Sequence, residues 1–443
     1  MTSTHEHPAK NGPVPLISPH LKEYGAAHNI LFNEKIKNLI ASGRKIYHLG
    51  FGQSPFPLYE GAVEALKEFA AEKSYLPTEG IPSLRKAICS FHKKYDDFDF
   101  DPSQVVVGPG SKELIFLLVS VFNGDVLLLA PTWPTYKPQV QLGHKRDIII
   151  DTGAENGWKI TPRLIEKAVK ENDLHPNRML ILCNPDNPTG VSYTKEDFEA
   201  LAVAFRKHNI LVLSDEIYAR LHHTQDHVSM ATFYPEGTIL STGMSKWASA
   251  GGWRMGYHIF PQELDVIKNA VKSAGSHTYS CCPAPMQYAI AKMLSEEKGV
   301  EDFIRHTAKI MAVAANFVHR ELTSVGVKVV KPGGAYYMFP DFEVIRPALN
   351  KRGLTTGEEM TAAMLEEASV ALMAGGPAFI RPLEELTVRL CFVNFDGAEA
   401  LRVSRNLGLE KELNDEFLKL YCTQLYDGIK ALSSWVLAQL RTV

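Results

Sequence analysis

The stretch "RMLILCNPDNPTGVSYTKEDFEALAVAFRKHNILVLSDEIY", residues 178–218, determines the fold class. The apolar runs "RMLILCN" and "NILVLSD" have the length and composition of buried strands. Between them, "KEDFEALAVAFRKH" repeats apolar residues at intervals of three and four, which is the period of an amphipathic helix. A strand, a helix and a second strand in this order predict an α/β protein with a largely parallel sheet covered by helices.

The same alternation extends to both sides of this stretch. Further strand candidates are "SQVVVG", "DVLLLAP", "RDIIID", "GTILST" and "GYHIF", and further helix candidates are "SLRKAICSFHKKY" and "SKELIFLLVSVF". We therefore expect a mostly parallel seven-stranded sheet in a large domain over residues 58–320. Beyond it, the helical "VEDFIRHTAKIMAVAANFVHRELTSV" leads into the strand-like "GVKVV", "GAYYMF" and "LTVRLCFV". This change predicts a smaller α+β domain over 321–443, to which part of the N-terminal arm over 1–57 would belong.

Composition excludes several classes of function. The chain has 443 residues, 45% apolar and 22% charged, and a net charge of −3, which provides no field for nucleic acid or anionic lipid. No apolar segment approaches the roughly 20 residues of a membrane-spanning helix. The polar opening "MTSTHEHPAKNGPVP" is typical of a flexible arm rather than a targeting peptide. We expect a cytoplasmic protein with neither nucleic acid nor membrane as a partner.

The cysteines are scattered without CxxC or zinc-ligand spacing. This pattern favours reduced thiols packed in the core, and no metal site is expected. The six positions are Cys89, Cys183, Cys281, Cys282, Cys391 and Cys422.

In an open parallel sheet, ligands bind at the carboxyl ends of the strands, where this chain places its polar motifs. "VVVGPGSKEL" ends a strand in a Gly-rich turn, which either holds a phosphate or is a plain turn with Ser111 as helix N-cap. "GFGQSP" and "GPGSKE" lack the third small residue of a dinucleotide fingerprint, so a nicotinamide site is disfavoured. "NPDNPTG", with Asn184 and Asn187, could consist of two Asn-Pro turns alone.

Charged residues in apolar strands require partners. Asp215 closes the run "ILVLSD", where a carboxylate is costly to desolvate unless a cation or donors meet it. Arg389 in "LTVRLCF" needs an anion, which could be a structural acid or a substrate carboxylate. Trp133 in "APTWPTY" could be simple core. Finally, "STGMSKWASAGGWRMGY" at 241–257 places Lys246 after a strand and Arg254 eight positions later.

Together these residues fit one ligand set: a phosphate, an aromatic ring with a basic nitrogen, an aldehyde for Lys246 and a carboxylate for Arg389. Pyridoxal 5′-phosphate with an amino acid supplies all four. In these motifs the chain resembles the class I aminotransferases of the fold-type I pyridoxal-phosphate family. The resemblance extends from "YHLGFGQSPFP" through "YLPTEGIPSLRKAI", "NPDNPTG", "SDEIY", "SKWASAGGWRMGY" and "GGAYYMF" to "VRLCF", in the family's order.

The resemblance implies a catalytic set. Lys246 would form the Schiff base and then move the proton between the substrate's Cα and the cofactor. Asp215 would pair with the ring nitrogen, and Asn187 and Tyr218 would hydrogen-bond the ring's phenolic oxygen. The other implied cofactor contacts are Gly110, Ser111, Lys112, Trp133, Ser245, Arg254 and, reaching a partner subunit's phosphate in a homodimer, Tyr75. The implied substrate contacts are Gly52, Lys112, Trp133, Asn187 and Arg389.

One position departs from the common family pattern. Many relatives carry a phosphate-binding Ser three positions before the lysine, where this chain has Gly243. The bacterial-type aspartate and prephenate aminotransferase subgroup also has Gly there, and "GSKEL" is similar to its "GGKQAL", whose lysine recognises a distal substrate carboxylate. Lys112 would take that role, or would be a solvated lysine in a first helical turn.

The resemblance implies an aminotransferase that moves an amino group between an L-amino acid and a 2-oxo acid such as 2-oxoglutarate. An acidic side chain would be favoured and an aromatic one possible. The same lysine, aspartate and arginine would also serve a lyase or synthase, acting by β- or γ-elimination or by a cyclopropane-carboxylate synthase-like reaction. A non-catalytic regulator is disfavoured by the intact Lys246.

Overall fold

The structure is a computed structural model that describes residues 16–18 and 28–442. The flexible arm expected for "MTSTHEHPAKNGPVP" therefore lies outside the described residues. The strands of this part are β1 Tyr47–His48, β2 Val105–Gly108, β3 Asp125–Ala130, β4 Asp147–Asp151, β5 Arg178–Cys183, β6 Ile210–Asp215, β7 Thr238–Gly243, β8 Gly256–Ile259, β9 Tyr337–Met338, β10 Val370–Ala371, β11 Met373–Ala374 and β12 Val388–Cys391.

The helices surround these strands. They are α1 His28–Ala41, α2 Glu60–Phe69, α3 Pro82–Asp96, α4 Ser111–Val121, α5 Tyr136–Leu142, α6 Pro162–Glu171, α7 Lys195–Lys207, α8 Asp265–Thr278, α9 Ala284–Ser295, α10 Glu297–Ser324, α11 Arg346–Lys351, α12 Gly357–Ala368, α13 Gly397–Leu407, α14 Asp415–Tyr421 and α15 Thr423–Leu440. None of them combines the length and apolarity needed to cross a membrane.

The main sheet has seven strands in the order β2-β8-β7-β6-β5-β3-β4. All neighbours from β7 to β4 pair in parallel, and β8 runs antiparallel to both β2 and β7. The predicted α/β class with a mostly parallel seven-stranded sheet is therefore confirmed. Because β3, β5, β6 and β7 run in the same direction, their carboxyl ends meet at one edge of the sheet.

Both faces of this sheet are buried, which explains the continuous apolar strands. Along β3, Leu127 and Leu129 belong to one apolar cluster, which α6 and α7 cover. The alternate residues Val126 and Leu128 belong to another cluster, which includes residues of α4 and α8. Successive side chains point to opposite faces of a strand, so a strand covered on both sides carries no polar alternation.

Two smaller sheets pack beside the large one. One pairs β1 with β10 in parallel, and the other has the antiparallel order β11-β12-β9. The strand expected at "GVKVV" is wrong: the segment forms one isolated bridge, Lys328 with Asp341. Its chain turns at Gly326, which has φ +83°, and reaches Pro332 soon after, so little length remains for a ladder. Helix α10 continues across residues 320 and 321, where the boundary between the two domains was predicted. The domain boundaries therefore stay predictions.

Candidate active site

A cavity of about 610 Å³ opens at the carboxyl edge of the large sheet. Most of the residues that the sequence indicated line it together: Gly52, Ser111, Lys112, Trp133, Asn187, Asp215, Tyr218, Ser245, Lys246, Arg254 and Arg389. Gly110 does not line the cavity itself but lies next to the Arg254 guanidinium. Tyr75 is not among the lining residues and is 91% exposed. Elements far apart in sequence thus form one site.

Lys246 lies just beyond the end of β7. Its Nζ donates a hydrogen bond to the Gly52 carbonyl at 3.3 Å and lies 5.6 and 5.8 Å from the ring centres of Tyr218 and Tyr336. Burial, followed by the nearby Arg389 guanidinium, lowers the pKa of Lys246 to about 8. A lysine in this setting gives up its proton more readily than an exposed lysine, and its neutral amine is nucleophilic.

Asp215 is the last residue of β6 and is 3% exposed. Its Oδ2 accepts a hydrogen bond from the Tyr136 hydroxyl at 2.6 Å, while its Oδ1 is buried and finds no donor among residues 28–442. Burial raises the pKa of Asp215 to about 6, although the Tyr136 hydroxyl opposes this shift. The carboxylate is therefore only half-satisfied and suits a cationic donor in the cavity.

Tyr136 was not identified from the sequence. It is the first residue of α5, and it ends the motif "APTWPTY", in which Trp133 alone was singled out. A tyrosine three residues after a candidate site residue, in the loop that follows a strand, was the available signal.

A chain of polar contacts links Asn187 to β9 in the three-stranded sheet. Asn187 donates from Nδ2 to the Tyr218 hydroxyl at 3.4 Å, and the Tyr218 and Tyr337 hydroxyls are 2.9 Å apart. Tyr337 belongs to β9, in the motif "GAYYMF", but was not predicted as a site residue. Its place beside Tyr218 depends on the packing of β9 against the large sheet, which no local pattern encodes.

Arg389 lies on β12 and is 2% exposed. Its Nη2 donates to the Gly50 carbonyl at 2.9 Å and its Nη1 to the Asn187 Oδ1 at 3.5 Å. The rings of Tyr337 and Phe379 lie 5.3 and 5.5 Å from the guanidinium. Across residues 28–442 no carboxylate pairs with Arg389, and its buried Nε has no acceptor. Within these residues Arg389 therefore forms no structural salt bridge, and a ligand anion would suit it.

The start of α4 forms a backbone cradle. Gly110, not Ser111, is the N-cap of α4, with φ +89°, so the alternative with Ser111 as N-cap is wrong. A Cβ at Gly110 would lie 2.2 Å from the Arg254 Nη2, and one at Gly256 would lie 2.3 Å from the Ser111 nitrogen. Only glycine lets these backbones and the guanidinium approach so closely. A helix N-terminus with an adjacent guanidinium is suited to an anion.

Arg254 reaches this cradle from a short 3₁₀ helix, Gly251–Trp253. It follows that helix in a left-handed conformation, with φ +51°, and donates to the Gly251 and Pro109 carbonyls at 2.9 and 3.2 Å. Arg254 is therefore the C-cap of this short helix. Gly243 stands where many relatives carry a serine, and there is a steric reason for the glycine. A Cβ at this position would lie 2.7 Å from the Met255 carbonyl oxygen.

Lys112 points into the cavity rather than into solvent. Its Nζ lies 5.1 Å from the centre of the Trp133 ring, a cation–π contact. Burial and the neighbouring Arg254 lower the pKa of Lys112. In the part of the chain that the structure describes, no carboxylate pairs with it. The solvated-lysine alternative is therefore the poorer description of this residue.

Comparison with known proteins agrees with this geometry. The family model for aminotransferase class I and II matches residues 44–404. The chain belongs to this family. An aspartate aminotransferase of Geobacillus stearothermophilus is 32% identical over 358 residues, 78% of this chain and 87% of that one. An aspartate/prephenate aminotransferase of Cereibacter sphaeroides is 29% identical over 379 residues, 83% and 92% of the two chains.

A solved structure also matches this aminotransferase. The Thermus thermophilus aspartate aminotransferase with maleate has a TM-score of 0.77 and 27% identity, covering 89% of this chain and 98% of that chain. The resemblance stated from the motifs is confirmed, and this protein is an aminotransferase dependent on pyridoxal phosphate. The lyase or synthase alternative is not favoured by these relatives.

The residues of the cavity fit the cofactor. Asp215 has an unpaired buried oxygen where a ring nitrogen could donate, and Lys246 presents an amine to an aldehyde. The glycine cradle beside Arg254 leaves a helix N-terminus open for a phosphate. This aminotransferase therefore carries a site whose donors match each part of pyridoxal phosphate.

Proposed function

We propose that this aminotransferase transfers the amino group between an acidic L-amino acid, aspartate or glutamate, and a 2-oxo acid such as 2-oxoglutarate. One observation carries the proposal: Arg389 and Lys112 both line the cavity, and neither has a carboxylate partner in the described residues. Two cations left for ligand carboxylates suit a substrate that carries two of them. The maleate of the Thermus thermophilus structure is itself a dicarboxylate.

The roles proposed for the chain's residues follow from their contacts. Asp215 would hold the ring nitrogen protonated, since a carboxylate close to that nitrogen favours the cation. Asn187 and Tyr218 would donate to the phenolic oxygen, and Trp133 would stack on the ring. The cofactor phosphate would be held by Gly110, Ser111, Ser245 and Arg254. Bound there, pyridoxal phosphate supplies the aldehyde that takes up the amino group and the ring that withdraws electrons.

Lys246 would carry the proton that transamination moves. With a pKa of about 8, roughly a tenth of its amines are neutral at pH 7, and this fraction rises with pH. The Gly52 carbonyl, 3.3 Å from Nζ, orients the amine. Arg389 would bind the substrate α-carboxylate and Lys112 the distal one, and aromatic side chains would be tolerated beside Trp133.

We also propose a cytoplasmic homodimer with a large domain over 58–320 and a small domain over 321–443. Tyr75, an aromatic side chain that is 91% exposed, is available to reach a partner subunit's phosphate. All six cysteines are free thiols, in keeping with a reducing compartment. Size-exclusion chromatography with light scattering tests the dimer.

The decisive experiment is a titration of the purified, cofactor-loaded protein with a panel of amino acids. The cofactor absorbance should change from its aldehyde form to its amine form with aspartate and glutamate at lower concentrations than with alanine. Equal responses to acidic and neutral amino acids would contradict the proposed substrate class. No response to any amino acid would contradict transamination itself.

A further inference from the structure

The segment "GPAFIR", residues 376–381, adopts a conformation that its sequence disfavours. A 3₁₀ helix, Pro377–Phe379, is closed by hydrogen bonds from the Ile380 nitrogen to the Pro377 carbonyl at 3.1 Å and from the Arg381 nitrogen to the Gly376 carbonyl at 2.9 Å. Ile380 occupies the left-handed position of this turn, with φ +61°, where glycine is the usual residue. A β-branched residue at positive φ is an outlier that persists only when its surroundings enforce it.

Two side chains of this segment pack close to residues that line the cavity. Phe379 is fully buried, and its ring lies 5.5 Å from the Arg389 guanidinium. Ile380 packs against the apolar cluster beneath α4 and α5, to which Trp133 also packs. The segment therefore contacts the surroundings of both Arg389 and Trp133.

Arg381 anchors the segment to the large sheet. Its Nε and Nη2 donate to the two carboxylate oxygens of Glu385 at 2.9 and 2.5 Å. Its Nη1 pairs with Asp151 and lies 3.4 Å from the Ala130 carbonyl, at the ends of β4 and β3. The Trp158 ring lies 5.5 Å from the guanidinium. The arginine thus joins "GPAFIR" to the sheet edge that leads into the Trp133 loop.

We infer that Arg381 is a positioning residue for substrate recognition, acting through Phe379 on the guanidinium of Arg389. The inference rests on the proposed function, in which Arg389 binds the substrate α-carboxylate. With the anchor in place, the strained turn keeps Phe379 against one face of Arg389 and fixes the guanidinium relative to Trp133. Without it, the turn can relax and Arg389 loses its orientation, although every group that contacts the cofactor remains.

The test compares Arg381→Met with the matched control Arg346→Met in the cofactor-loaded enzyme. Arg346 and Arg381 line one surface pocket. The hydrogen bonds of Arg346 within the described residues go to Glu343, Thr355 and Glu384 rather than to the sheet edge. Maleate affinity is measured from the change in cofactor absorbance, and KM and kcat with aspartate. Arg381→Met should raise the Kd of maleate and the KM of aspartate about 10-fold and change kcat less than about 2-fold. The control should change none of these three constants.

A second variant distinguishes a specific effect on substrate recognition from misfolding. Asp151→Asn removes the negative charge of one exposed partner of Arg381 and leaves the Glu385 pair intact, so it should weaken maleate binding about 3-fold, in the same direction. Wild-type maleate affinity in both variants, or a loss of kcat and cofactor absorbance in parallel with affinity, would overturn the positioning role. Failure of the wild-type enzyme to transaminate any amino acid would instead overturn the proposed function.

Discussion

Replacing Asp215 with asparagine should change how the stability of the cofactor-free protein depends on pH. Burial raises the pKa of Asp215 from its ordinary 3.8 to about 6. At about 1.4 kcal/mol per pH unit, this difference corresponds to about 3 kcal/mol between the folded and unfolded states. Because the folded pKa is the higher one, the stabilising contribution is complete below pH 3.8 and is lost as the pH rises through 6. Asp215→Asn should therefore gain up to about 3 kcal/mol relative to wild type between pH 4 and pH 7.

Urea unfolding of both proteins across this range measures the difference at each pH, so the titration of other groups cancels. A changed hydrogen bond to Tyr136 would shift the curve by a constant and would not alter its slope. The cofactor should abolish the pH-dependent gain, because its ring nitrogen gives Asp215 a cationic partner.

Asp186 provides a matched control for this experiment. Burial likewise raises its pKa to about 6, and its carboxylate accepts a hydrogen bond from Thr189 Oγ1 at 2.6 Å. Asp186→Asn should show the pH-dependent gain with and without cofactor, whereas Asp215→Asn should show it only without. An equal gain at Asp215 in the loaded and cofactor-free proteins would refute the assignment of its partner. In the loaded enzyme, Asp215→Asn should also slow the half-reaction by several powers of ten, with cofactor binding retained.

Three further substitutions or treatments test the site. Lys112→Ala should lower kcat/KM for acidic substrates by about 10- to 150-fold, the loss of one charged hydrogen bond, and barely affect neutral ones; equal losses would make Lys112 a structural residue. Borohydride reduction of the loaded enzyme should attach the cofactor to Lys246, and a mass-spectrometric adduct on another residue would contradict its role. Tyr136→Phe removes the 2.6 Å donor to Asp215 and should slow the half-reaction about 10- to 100-fold; an unchanged single-turnover rate would show that the hydrogen bond is dispensable.

The sequence predicted the large sheet well because each of its strands is short, apolar and bounded by polar turns. Parallel strands covered on both faces leave a signal that does not depend on long-range packing. The topological rule that ligands bind at strand carboxyl ends then directed attention to Asp215 and to the loop carrying Lys246. Both line the cavity, and so do most residues carried over from the family motifs.

Residues whose role depends on contacts between distant segments could not be read in this way. Tyr337 approaches Tyr218 across 119 positions of sequence, and Arg381 approaches Asp151 across 230. Neither spacing has a local period. The strand-like "GVKVV" failed for the same reason, because a β-ladder requires a partner strand that the local sequence does not specify.

The charges of the cavity add an argument that no single residue provides. The chain as a whole has a net charge of −3, yet the charged residues lining the cavity are four basic and one acidic: Lys112, Lys246, Arg254, Arg389 and Asp215. Such a concentration of positive charge in a partly buried space is unfavourable unless anions join it. Burial and the neighbouring cations lower the pKa values of Lys112 and Lys246, which reflects the cost of holding these charges together when anions are absent. A phosphate of nearly two negative charges at Arg254 and two substrate carboxylates at Arg389 and Lys112 would balance the site. Pairing Arg389 and Lys112 with carboxylates would remove part of the repulsion that lowers the pKa of Lys246, so burial, which is the larger cause, would then be what keeps that pKa below its ordinary value.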